Sequence, residues 1–182
     1  MPPLLFEESE VQKPSVLDVE EDSVEAEPTT KDTLKHLEIA KSYLGTCEPN
    51  GNNRGPKINK FLAFVGLDPG HQWCAAFTSY CNHKAGVEEP GLRDARSRMW
   101  ITENSFKLSR AQRKDQPIKG MIGVHRYTRF TGHVSYIVGR QANGEKLKTI
   151  AGNEGDCVAY RTYTARGRGF DAPKILTPVS YD

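Results

Sequence analysis

The run HQWCAAFTSYCNHKAG at 71–86 constrains this chain more than any other stretch. It follows Asp68-Pro69-Gly70, a turn signal, and it ends at Gly86, where a helix stop is expected. The residues between read as a helix with Cys74 in its first turn. The first N–H groups of a helix have no acceptor within it, and the positive end of the peptide dipole lies there. Both favour thiolate over thiol. Free cysteine titrates near ~8.5, and such positions pull it to roughly 4–7. Cys74 is therefore a candidate nucleophile, set against the plainer alternative of a small buried hydrophobe. A nucleophile needs a base.

That base is sought on a strand. TGHVSYIVGR at 131–140 is rich in Val, Ile and Tyr and is followed by Asn143-Gly144, a hairpin signal. His133 opens the strand, with Ser135 and Ile137 on its face and Val134, Tyr136 and Val138 on the other. Leu147 to Ala151 reads as the return strand, ending at Gly152-Asn153. Asn153 is placed to accept the second imidazole N–H of His133 and fix its tautomer, the nucleophile–base–orienter arrangement of a cysteine triad. Glu154 and Asp156 rank behind Asn153 because they lie beyond the strand end. Among rival bases, His125 comes next and then His71, which stands too close to Cys74 along the chain. His36 and His83 read as surface positions.

These segments carry a resemblance. GNNRGPKINKFLAFVGLDPGHQWCAAFTSYCNHKAG at 51–86, SRMW at 97–100, PIKGMIGV at 117–124, GHVSYIVG at 132–139 and AGNEGDCV at 151–158 resemble the CHAP group of cysteine amidases and peptidases, which are NlpC-like and papain-like. The Trp-Cys-Ala-Ala-Phe core and the Gly-His-Val strand are the most specific elements, and the likeness spans roughly 33–165. It implies Cys74 as nucleophile, His133 as base, Asn153 as orienting residue, and a peptidoglycan substrate. The bond cut is then either N-acetylmuramoyl-L-alanine or one within the stem or cross-bridge peptide. One departure is visible: relatives carry Pro-x-Gly-Asp where this chain has Pro117-Ile118-Lys119-Gly120-Met121.

The expected fold is α+β, a papain-like CHAP domain over 31–182 with N-terminal helices packed on an antiparallel sheet. Leu34, Leu37, Ala40 and Leu44 form one helical stripe. Pro56 opens a second helix with Ile58, Phe61, Leu62 and Val65 inward. A fourth helix is expected over Ala95 to Leu108, and strands near 119–125, 133–140, 146–151, 156–164 and 174–177.

Residues 1–30 stand apart, with nine acidic residues against Lys13 alone, a net of −8. The whole chain is +2, so 31–182 carries +10. Few aromatics and unbalanced charge mark 1–30 as a disordered acidic leader. It reads as a solubilising tail, a mask for the basic domain, a dock for a delivery or inhibitory protein partner, or a segment that is later clipped. The basic domain suits anionic wall polymers. No helix-turn-helix, zinc or single-strand-binding signature points to nucleic acid. Leu4-Leu5-Phe6 is too short for the apolar core of a secretion signal, and no run of 18 apolar residues suggests a membrane span. The expectation is a protein made without a signal peptide that reaches the wall by release, as phage lysins do, or by injection as an antibacterial effector.

Cys47, Cys74, Cys81 and Cys157 do not read as a disulfide framework, and Cys81 reads as core. Cys74, Cys81 and His83 match no common zinc spacing, so neither metal nor cofactor is expected. Gln72 is a candidate oxyanion donor beside the backbone N–H of Cys74. Trp73 and Trp100 either wall a substrate groove or belong to the core. Two other functions stay open: a catalytically weak wall-binding module of the same fold, or a cysteine peptidase acting on a non-wall amide.

Overall fold

The computed structural model describes residues 34–91, 93–107, 118–127, 131–141, 146–164 and 175–181. The acidic leader and the Asn143-Gly144 turn lie outside them. The described residues form an α+β arrangement with helices first: α1 (Lys35–Ser42), α2 (Pro56–Phe64) and α3 (Cys74–Ala85). Eight strands follow: β1 (Val87–Glu89), β2 (Phe106–Lys107), β3 (Ile122–Arg126), β4 (Gly132–Gln141), β5 (Lys146–Ala151), β6 (Ala159–Thr164), β7 (Ile175–Thr177) and β8 (Ser180–Tyr181). Six make an antiparallel sheet in the order β2-β7-β3-β4-β5-β6, while β1 and β8 pair separately.

Pro56 does open α2, where its missing N–H costs nothing. Helix α3 begins at Cys74 and ends on Gly86, whose φ of 74° is the left-handed cap that glycine adopts without strain. Ten of the twelve α3 residues are buried, so this helix is the centre of the core. Its polar groups are paired accordingly: Asn82 Nδ2 donates to Pro90 O at 2.9 Å, and the Tyr136 hydroxyl on β4 donates to Thr78 O at 3.0 Å.

Alternation along β4 follows the pattern expected of a strand between two apolar layers. Val134 and Tyr136 join Leu37, Phe61, Leu62 and Phe77 in the main core, while Ile137 joins Leu147 and Ile118 in a smaller cluster. A bulge between Ile137 and Gly139 shifts the register with β5. On β3, His125 lies opposite His133.

Three expectations change. Residues 95–107 form only a 3-10 turn (Ser97–Trp100) followed by β2, because Trp100 turns fully into the core and Phe106 pairs with Leu176 of β7. Leu44 is 39% exposed, since α1 ends at Ser42 and the apolar stripe ends with it. His36 is buried rather than on the surface. Its Nε2 meets Gly120 O at 2.7 Å and its Nδ1 meets the Tyr181 hydroxyl. Burial outweighs the Gly120 hydrogen bond and lowers its pKa to about 4.

The cysteine expectation is also overturned. Cys47 and Cys157 form a disulfide across 110 residues of sequence. Segments 45–48 and 156–158 run antiparallel here: Gly45 N donates to Val158 O at 3.0 Å, Val158 N to Thr46 O at 2.8 Å, and Glu48 N to Asp156 O at 2.9 Å. Spacing along the chain does not reveal a pairing made by tertiary contact. Cys74 and Cys81 are free thiols.

Candidate active site

The sulfur of Cys74 meets the imidazole of His133 at the start of α3. Two glycines permit this approach. A Cβ at Gly132 would stand 2.3 Å from His125 O, and one at Gly152 would stand 2.6 Å from the Phe77 Cβ. Gly132 thus lets β4 enter beside β3, and Gly152 lets the chain after β5 press on the first turns of α3.

Cys74 and His133 are each 7% exposed, so both are largely shielded from water. Burial alone would raise the thiol pKa. The charge and hydrogen bond of His133 reverse that, with the N–H groups of Val134 and Ala75 adding to it, so the Cys74 pKa is lowered overall. Burial would likewise depress the imidazole. Cys74 and then Glu154 overcome this and raise His133 to about 9. Each partner therefore favours the charged form of the other, the thiolate–imidazolium pair of a primed nucleophile. Cys81, two turns along α3, shows the contrast: burial without a partner pushes its thiol well above the ordinary value.

The third member differs from the expectation. His133 Nε2 faces Glu154 Oε2 at 3.4 Å, which leaves Nδ1 for the sulfur. Asn153 does not orient the histidine. Its φ is 58°, and this left-handed turn aims its side chain at Asn53 Oδ1 (3.1 Å) and Gln72 Oε1 (2.8 Å). The same turn brings the next residue, Glu154, back towards His133. Two groups on β6 hold the carboxylate there: Arg161 Nη1 donates to Oε1 at 2.6 Å, and the Tyr163 hydroxyl donates to Oε2 at 3.0 Å. Burial opposes the charge on Glu154, but His133, Arg161 and Tyr163 lower its pKa to about 2. Position beyond the strand end, which counted against Glu154 in the sequence, is what allows the chain to fold back.

Trp73 is fully buried and cannot line a groove. Its Nε1 donates to Glu48 Oε1 at 2.7 Å, while Glu48 Oε2 accepts from Asn53 N. A hydrogen bond within a protein contributes about 0.5–1.5 kcal/mol net, so Glu48 anchors the residue just before Cys74. No pattern in the sequence singled out Glu48. Gln72, two residues before Cys74 in the sequence, is exposed. Tyr127 is 45% exposed; partial burial raises its pKa and the charges of Glu154 and Cys74 add to that, so it stands on the surface near them. His125 is buried with its ring 4.4 Å from that of Tyr163 and 6.2 Å from that of His133, and His71 is exposed.

Among the described residues no group of three His, Cys, Asp or Glu side chains is placed to hold a metal, and no helix is long and apolar enough to cross a membrane. The arrangement has what acyl transfer requires: a thiol with lowered pKa, a base within reach, and a carboxylate behind the base. Comparison of the chain with protein-family models, with curated proteins and with solved structures found no match in any of the three.

Proposed function

We propose that this protein is a papain-like cysteine hydrolase of CHAP type that cuts an amide bond of peptidoglycan. The bond is N-acetylmuramoyl-L-alanine or one in the stem or cross-bridge peptide. The observation that carries the reading is Cys74 against His133 with Glu154 behind it, so the working triad is Cys-His-Glu. The Cys74 thiolate adds to the carbonyl carbon and the carbonyl π pair moves onto oxygen. The backbone N–H of Cys74, unpaired within its helix, supports that oxyanion. When the carbonyl reforms, the C–N bond breaks and the leaving nitrogen takes the proton held by His133. His133 then takes a proton from water as the hydroxyl adds to the thioester, and collapse returns the thiolate. Glu154 keeps its charge through the cycle and holds the ring in one orientation.

The wall as substrate is supported by the resemblance of 51–86 and 132–139 to the CHAP pattern and by the +10 charge of 31–182, which suits anionic polymers. The Cys47–Cys157 disulfide supports action in an oxidising compartment such as the periplasm or the exterior. The test is a zymogram on purified sacculi, with mass spectrometry of the products. Wild type is expected to release muropeptides whose new amine is either the L-alanine terminus or within a peptide. Cys74→Ser is expected to release none. Intact sacculi with wild type, or equal clearing by Cys74→Ser, would overturn the reading.

A further inference from the structure

Gln72 stands two residues before the nucleophile with its side chain exposed, and a primary amide has two unlike ends. Only the NH2 end can stabilise an oxyanion; the carbonyl end repels one. The amide network beside it decides which end is presented. Gln72 Oε1 accepts from Asn153 Nδ2 at 2.8 Å, and Asn53 Oδ1 accepts from the same nitrogen at 3.1 Å. Both hydrogens of the Asn153 amide are thereby directed at carbonyl oxygens, and with its oxygen engaged by Asn153, Gln72 keeps its NH2 end for another partner.

The backbone around this trio is held as well. Asn53 N donates to Glu48, and Asn53 O accepts from Gly70 N at 2.9 Å, which fixes the loop that carries Asn53 to the turn before Cys74. Asn53 and Asn153 have φ of 56° and 58°, a region asparagine enters more readily than most residues. Aspartate shares that tolerance, which supplies a clean perturbation.

We propose that Asn153 is a positioning residue that sets the polarity of Gln72, so that the Gln72 NH2 serves as the second oxyanion donor beside the backbone N–H of Cys74. The proposal rests on the reading of Cys74 as an acyl-accepting nucleophile. It assigns Asn153 to the oxyanion side of the site, away from the histidine it was expected to orient. An Asn153→Asp variant keeps the size and backbone tolerance of the residue but only accepts hydrogen bonds. Gln72 must then donate to it and turn its carbonyl oxygen towards the cleft.

Two reactions of Cys74 separate this role from others. Acylation by p-nitrophenyl acetate passes through a tetrahedral oxyanion, whereas alkylation by iodoacetamide does not. In Asn153→Asp the acylation rate is expected to fall about 100-fold, the scale for loss of one oxyanion donor, with the alkylation rate at a pH where Cys74 is fully ionised nearly unchanged. Gln72→Ala is expected to show the same loss, and Asn153→Asp in that background to add little to it, since one acts through the other. Full acylation by Asn153→Asp, additive losses in the double variant, or a fall in the plateau alkylation rate as large as the fall in acylation would each overturn the proposal. The acylation arm needs no wall substrate. A wild type that acylates normally but leaves sacculi intact would defeat the peptidoglycan reading while the ratio of rates still decided the role of Asn153.

Discussion

The Cys47–Cys157 disulfide ties the two halves of the site together, and its removal has a calculable effect. Cys47 precedes Glu48, which holds Trp73 next to Cys74; Cys157 closes the turn whose Glu154 faces His133. A cross-link closing 110 residues removes unfolded-chain entropy that corresponds to about 5 kcal/mol, and measured disulfides in proteins commonly give 2–4. The backbone hydrogen bonds between 45–48 and 156–158 survive its loss, so the fold should persist at lower stability. For a chain of this size the expected fall in Tm is roughly 5–20 °C. The turn carrying Glu154 should loosen with it, so kcat should drop more than KM rises. The assay compares wild type with Cys47→Ser/Cys157→Ser, each with and without dithiothreitol, by thermal unfolding and by dye release from labelled sacculi. Cys47 is exposed, so the reductant reaches the bond. Reductant should bring wild type to the level of the double variant and leave that variant unaffected. If mass spectrometry shows a reduced bond while Tm and turnover match the oxidised protein, the coupling argued here is wrong.

Other expectations follow from the charges at the site. Glu154→Gln should lower kcat by one to two orders of magnitude; because Glu154 helps raise His133, the alkaline limb of kcat/KM should move below the wild-type position near pH 9. An unmoved limb would count against the contact. The same variant should flatten acid unfolding. The folded pKa of Glu154 is depressed from 4.5 to about 2, so its contribution to stability is present above 4.5 and lost as pH falls towards 2. Limited iodoacetamide at neutral pH should label Cys74 well before Cys81, whose pKa is raised by burial; peptide mapping with equal labelling would remove the primed thiolate. Tyr127→Ala should raise KM for wall fragments several-fold with kcat nearly unchanged, and unaltered KM would place the substrate elsewhere.

Much of this protein was legible along the chain because its signals are local. A turn ending in Gly70, Cys74 in the first helical turn and Gly86 as the stop set the bounds of α3 between near neighbours. Pro56 did the same for α2, and alternating apolar residues did so for β4 and β5. The partnership of Cys74 with His133 was readable from residue types in order, and the structure brings the two together. The carboxylate behind the histidine was not, because a turn with left-handed residues at Asn153, Gly155 and Asp156 decides whether the side chain of Asn153 or that of Glu154 meets the ring. Nor was the disulfide, which joins segments 110 residues apart that only the tertiary fold brings together. Trp73, Trp100 and His36 tell the same story from within: whether a large ring lines a cleft or fills the interior depends on what packs over it, and those neighbours come from distant parts of the chain. Sequence settles what each short stretch can adopt, since torsional preference and capping act within a few residues. Only the assembled fold settles which polar group faces which, since that requires groups far apart in sequence to be held within ångströms.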